Sequence, residues 1–170
     1  YTTKDGKIQF SRTFTNIDIF TMIDEISLQL RYDLGIPVAH IEKSIDLPVS
    51  EMLTSSLDAF KNFSKGMGYV SSGDFEAGIP YLEKAIEIDE SFGMVYMPLS
   101  GLYVMTNQAD QRLNIAKKAM QYMYKLPERY HYLVKVIYFS VIEDIEKMMQ
   151  TIERHLELFP HDIEARDVFV

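Results

Sequence analysis

Residues Gly66-Met67-Gly68-Tyr69-Val70-Ser71-Ser72-Gly73-Asp74-Phe75-Glu76-Ala77-Gly78-Ile79-Pro80-Tyr81-Leu82-Glu83-Lys84-Ala85-Ile86-Glu87-Ile88-Asp89 carry the pattern on which the fold is read. Apolar residues recur at helical spacing on both sides of Gly73-Asp74, a pair with the chemistry of a helix stop followed by a helix start. The same grammar continues downstream with no strand pattern. A second helix runs Phe75 to Ile88 and a third near Phe92 to Met105. Asn107-Gln108 opens a fourth, Leu126-Pro127-Glu128 a fifth and Glu143-Asp144 a sixth, and Pro160 precedes a seventh. Upstream, Ser55 with Asp58 forms a capping box for the first helix.

Short helices joined by tight turns call for a test of internal repetition. Tyr69, Tyr103 and Phe139 occupy matching places in the odd helices; Ala85, Ala119 and His155 match in the even ones. The steps are 34 residues and then 36, the two extra residues falling around Lys125-Leu126-Pro127. A period near 34 with two helices per unit resembles the tetratricopeptide repeat. Residues 59–92 resemble it best, through Gly66, Tyr69, the Gly73-Asp74-Phe75 turn, Tyr81-Leu82 and Glu83 to Asp89. Residues 93–126 match through Tyr96, Leu99, Tyr103, Asn107 and Lys118-Ala119, and 129–162 through Phe139, Asp144, Leu156-Glu157-Leu158 and Pro160. Residues 163–170 read as a terminal helix. The resemblance implies a mainly α fold, a right-handed α-α superhelix of helix pairs. Departures are Gly78 and Arg112 where the pattern has Ala, a large Met148, His155 at a close-packed position, and Pro80 and Pro98 inside helices.

Before the repeats the pattern differs. Ile8, Phe10 and Phe14 alternate with polar residues, and Asp5-Gly6 is a hairpin turn pair, so a short N-terminal β-hairpin is expected. Residues 17–34 read as an amphipathic linking helix on Ile19, Ile23, Ile26 and Leu30, with Asn16 as cap, Asp18 on the helix dipole and Gly35 as stop. A connector with Pro37 and Pro48 follows. The expected division is residues 1–50, the remnant of a preceding α/β domain, and 51–170, the repeat domain. Phe14, Asp18-Ile19-Phe20, Asp24-Glu25-Ile26, Asp46 to Glu51 and Leu126 to Arg129 resemble a bacterial signalling architecture. In that architecture a domain similar to the N-terminal domain of TolB-like proteins leads into repeats, downstream of a serine/threonine kinase or an adenylate/guanylate cyclase. The start at Tyr1 without Met fits a piece of such a longer protein.

Composition narrows the function classes. The 170 residues carry 17 Lys and Arg against 25 Asp and Glu, a net charge of −8. That disfavours nucleic acid and an anionic membrane surface, both of which need clustered basic charge. No apolar run reaches the roughly 18 residues of a membrane span. With no Cys, disulfides, thiolate metal sites and a Cys nucleophile are excluded. The compartment is left open.

No constellation for catalysis emerges. His40, His131, His155 and His161 lack metal-ligand spacing, and His155 reads as a core imidazole. Glu83, Lys84, Glu87 and Asp89 read as a solvated helix face, and Glu143-Asp144 as a helix start. Gly66-Met67-Gly68 lacks the dinucleotide and P-loop patterns and reads as a site of close helix packing. Ser55-Ser56 reads as a cap, since no nucleophile-elbow context surrounds it. No enzyme activity, cofactor or metal is expected.

In the family resembled, the first helix of each pair lines a concave groove. The corresponding residues here are Phe60, Phe63, Met67 and Val70; Met94, Met97, Val104 and Met105; and Tyr130, Leu133, Ile137 and Val141. Such a Met-rich apolar surface suits adaptable recognition of a peptide or helix. The carboxylate-clamp subfamily places Lys, Arg and Asn there; Phe63, Met67, Pro98 and Leu133 depart from it. The expected function is a non-catalytic interaction module of a bacterial signalling or regulatory protein. It would dock a protein segment, its own N-terminal helix or a second copy. The alternative is a small-ligand-sensing domain attached to a kinase or cyclase.

Overall fold

The structure, a computed structural model, describes residues 13–15, 18–39 and 48–162. It is mainly α, with no strand among the described residues. The expected hairpin over residues 1–10 and the terminal helix over 163–170 lie outside the described residues, as do residues 40–47 of the connector. The chain divides into two compact units, Tyr1–Glu51 and Met52–Val170.

In the first unit α1 runs Ile19–Asp33. Its cap is Asp18, whose carboxylate accepts from the Phe20 and Thr21 amides at 3.4 and 3.0 Å. The Asp18 side chain therefore does more than favour the helix dipole: it satisfies two amides that have no partner within the helix. The bond from the Thr21 hydroxyl, with those from the two amides, holds its carboxyl below the ordinary value. Gly35, at φ +73°, takes the chain out of the helix in a conformation other residues resist. Phe20 is buried, while Ile19, Ile23 and Ile26 are exposed. After Pro48 comes α2, the single turn Val49–Met52, its first amide held by the Asp24 carboxylate at 2.9 and 3.1 Å.

Among the described residues the second unit holds six longer helices: α3 (Leu57–Ser71), α4 (Phe75–Ile88), α5 (Tyr96–Met105), α6 (Ala109–Tyr122), α7 (Glu128–Val141) and α8 (Ile145–Leu158). Short 3-10 turns, Gly93–Val95 and Met123–Lys125, precede α5 and follow α6. The helices form three pairs, α3 with α4, α5 with α6 and α7 with α8, and α6 also packs on α7. The pairs repeat in geometry. The odd helices end at Ser71, Met105 and Val141 and the even ones begin at Phe75, Ala109 and Ile145, steps of 34 and 36 residues. Each turn is built alike. Gly73, Asn107 and Glu143 all take positive φ, at +82°, +56° and +59°. The next amide, of Asp74, Gln108 or Asp144, then donates back to the carbonyl of Tyr69, Tyr103 or Phe139 at 3.0, 2.8 and 3.0 Å.

Several local expectations are corrected by physical detail. Ser56, not Ser55, caps α3, accepting from the Ala59 amide at 3.2 Å. The third helix begins as a 3-10 turn, so Pro98 sits in the first turn of α5, where a missing N–H costs least. Pro80 lies in the interior of α4 and leaves the Glu76 carbonyl without its helical donor; Glu76 is exposed, so water reaches it. Asp89 is not on the solvated face. It accepts from the Thr54 hydroxyl at 2.5 Å and from the amide and hydroxyl of Ser91 at 3.0 and 2.7 Å. Thr54 is fully buried, so this carboxylate ties the entry of the first pair to its exit.

The core of the second unit runs through the pair junctions, around Leu82, Ala85, Phe92, Tyr96, Leu99 and Val134. Tyr96 is fully buried; its hydroxyl donates to the Glu90 carbonyl at 2.5 Å and its ring stacks on Tyr122 with centroids 6.0 Å apart. Tyr69 stacks in the same way on Tyr81 at 5.5 Å.

Candidate binding groove

The groove starts from the composition of α5. Its ten residues, Tyr-Met-Pro-Leu-Ser-Gly-Leu-Tyr-Val-Met, include no charge. A helix apolar on every side needs cover on every side. Tyr96, Leu99, Leu102 and Tyr103 find it in the core. Met97, Gly101 and Val104 form the opposite stripe at spacings of four and three, and they line an open cavity of about 660 Å³. Met67 of α3 and Leu133, Val136, Ile137 and Ser140 of α7 complete the walls, with Pro98, Ser100 and Arg112.

Repeat equivalence explains the lining. Stepping by 34 and 36, Met67 corresponds to Gly101 and Ile137, and Val70 to Val104 and Ser140. Gly101 has open space where a Cβ would stand, which deepens the cavity at its middle. The same steps relate Gly78 to Arg112 and Met148, and Gly66 to Ser100 and Val136. In the first pair two glycines face each other: a Cβ on Gly78 would meet the Gly66 carbonyl at 3.1 Å, and one on Gly66 would meet Leu82 at 2.9 Å. That pair packs most extensively of the three. Arg112 and Met148 stand where Gly78 allowed contact, and a long side chain there holds two helices apart.

Of the residues expected to form the groove, the structure brings together Met67, Met97, Val104, Leu133 and Ile137. Phe60, Phe63, Val70, Met94 and Tyr130 do not line this cavity; they are half-buried and pack against the core cluster, Phe63 on the Phe92 ring at 5.1 Å. Met105 and Val141 also lie outside the lining. Each is one residue past a lining position, about 100° round its helix, and Met105 is 63% exposed against 51% for Val104.

Sequence reasoning missed Pro98, Ser100, Gly101, Arg112, Val136 and Ser140. Gly101 and Ser140 were legible as the repeat equivalents of Met67 and Val70. Arg112 drew notice only as a departure from Ala, yet it is the sole charged residue in the lining. Its Nε–H is buried and donates to no acceptor, and its guanidinium makes no hydrogen bond or ion pair among the described residues.

Elsewhere polar groups pair within the fold. His155 is fully buried, its Nε2 3.2 Å from Asp162 and its ring among Tyr132 and Phe159 at 5.5 and 5.1 Å. A second, polar recess of about 460 Å³ is lined by Glu83, Glu87, Glu90 and Lys118; Glu90 pairs with Lys118 and accepts from the Tyr122 hydroxyl at 3.0 Å. Glu83 and Glu87 are exposed, and the Tyr103 hydroxyl donates to Glu83 at 2.5 Å. No group of three or more potential ligands is placed to hold a metal ion among the described residues. No helix among them is long and apolar enough to cross a membrane.

Compared with known proteins, the chain matches no family model and no curated relative.

Proposed function

We propose that this chain is a non-catalytic helical-repeat interaction module, tetratricopeptide-like in its superhelix, from a bacterial signalling or regulatory protein. It docks an apolar peptide or helical segment in the groove between α3, α5 and α7. The observation that carries this reading is the uncharged helix α5, whose stripe of Met97, Gly101 and Val104 opens into a cavity of about 660 Å³. Methionines at Met67 and Met97 give the wall an adaptable surface, which suits a docked side chain better than a rigid one. The repeated helix pair supports the module reading, since repeat arrays present extended concave surfaces. A tethered kinase or cyclase would supply any activity.

The test is Val104→Asp combined with Met97→Asp in the same chain. Both side chains are at least part-exposed, so the fold is expected to persist, checked by circular dichroism. Binding to partner segments, or self-association read by solution mass, is expected to fall at least tenfold, since each buried charge costs well over ~1.4 kcal/mol. Undiminished association by the folded variant removes the groove from the function.

The second reading, a small-ligand-sensing regulatory domain, draws on the size of the cavity. It lies within the roughly 300–1,000 Å³ typical of ligand sites, mostly apolar with few polar groups.

A further inference from the structure

The cavity holds one feature that a plain apolar docking surface does not need. Arg112 of α6 is the one charged residue of its lining, and its Nε–H has no acceptor among the described residues. Every other lining side chain is apolar or a small hydroxyl: Met67, Met97, Val104, Leu133, Ile137 and Ser140 among them. Its guanidinium makes no ion pair among the described residues, and a charge left unpaired beside an apolar wall is costly; an anion in the cavity recovers that cost. Burying the remainder of the ligand on this wall requires an apolar body. The chemistry that satisfies both is a single carboxylate on an aliphatic chain.

We infer that the groove binds an apolar monocarboxylate, its chain laid along the α5 and α7 stripes and its carboxylate paired with Arg112. The inference rests on the small-ligand reading of the same groove and needs no protein partner. One charge on the ligand matches one charge in the wall; a second carboxylate would enter apolar lining without a counter-ion. Ligand and docked segment would share Met97 and Val104, so the groove holds one or the other.

The test uses the full chain and a fluorescent dansyl-undecanoate probe, displaced by dodecanoate or by dodecanol. Wild type is expected to bind the probe saturably at one site. Dodecanoate should displace it about tenfold or more better than dodecanol, the scale of a charge-assisted hydrogen bond. Arg112→Gln is expected to level acid and alcohol while leaving the alcohol unchanged, and Arg112→Lys to restore part of the preference. Gly101→Phe, which fills open space at the cavity floor, is expected to abolish both. The absence of saturable binding, equal displacement by acid and alcohol in wild type, or a preference surviving Arg112→Gln each overturns the inference. The acid-against-alcohol comparison on wild type stands even if a variant fails to fold. Equal displacement by acid and alcohol, both lost in Gly101→Phe, would leave a ligand groove standing and discard only the carboxylate.

Discussion

At the scale of single residues, three turns solve one geometric problem with three side chains. Gly73, Asn107 and Glu143 all hold positive φ. Glycine does so freely, asparagine at a small cost, and glutamate at a cost of about 1–2 kcal/mol. Glu143→Gly is therefore expected to raise stability by about 1 kcal/mol, and Gly73→Ala to lower it by a similar amount, read from urea midpoints at constant slope. Ionisable residues give a second signature. Burial, helped by the Glu83 carboxylate at Tyr103, pushes the Tyr96 and Tyr103 hydroxyls above their ordinary 10.0. The folded state then keeps protons that the unfolded chain releases, so stability is complete below pH 10.0 and falls as pH rises through the folded values. Asp89 works in the opposite sense. Burial alone would raise its carboxyl, but hydrogen bonds from Thr54 and Ser91 and the charge of Lys125 outweigh it and hold it below 3.8. Its contribution is present above that value and lost as pH falls through the folded one. Thr54→Val should shrink the acid-side loss while leaving the alkaline side unchanged, measured as thermal midpoint against pH.

At the scale of elements, the contact between α3 and α4 depends on Gly66 and Gly78, neither of which admits a Cβ without displacement. Gly78→Val is expected to cost about 1–3 kcal/mol by overpacking, and Gly101→Val, with open space around it, far less. Comparing the two in one chemical-denaturation series separates a packing glycine from a groove glycine. The helix pairs were legible because apolar periodicity and turn residues agree at each step: Asp74 and Asp144 cap α4 and α8 as their positions imply. Caps near helix starts were harder. Ser55 and Ser56 are chemically alike, and only the burial of Thr54 and its bond to the Ser56 amide sets the register. Of the expected groove residues, Met67, Met97, Val104, Leu133 and Ile137 line the cavity, while their repeat equivalents Phe63 and Val70, and the equivalent set Phe60, Met94 and Tyr130, pack on the core instead, because repeat position fixes a helix face but not how closely neighbouring pairs approach. Arg112 escaped because a charged residue is ordinarily read as facing water; its placement comes from the position that Gly78 holds in the preceding pair.

At the scale of the whole molecule, stability is expected to be uneven. The first pair of the second unit combines the most extensive helix contact with the Thr54–Asp89 bond across its ends. The third pair is thinly buried, with Val134, Val136 and His155 its buried side chains among the described residues. Amide exchange is expected to be slowest in α4 and about tenfold or more faster in α8. A uniform rate across all six helices would mean that the unit opens as one body. Charge is likewise unevenly placed. The ion pairs Lys61–Asp58, Lys84–Glu87, Lys147–Asp144 and Arg154–Glu157 are i,i+3 contacts, exposed but for the half-buried Asp144, and worth little individually, so salt should move solubility more than stability. The Tyr96–Tyr122 stack, near-parallel at 6°, sits in a chain with no tryptophan. Near-ultraviolet absorption therefore comes mainly from phenol rings, and two of these are held as a coupled chromophore where the 3-10 turn enters α5 and α6 ends. The protein thereby carries its own optical gauge of whether the middle pair is assembled, readable without any label.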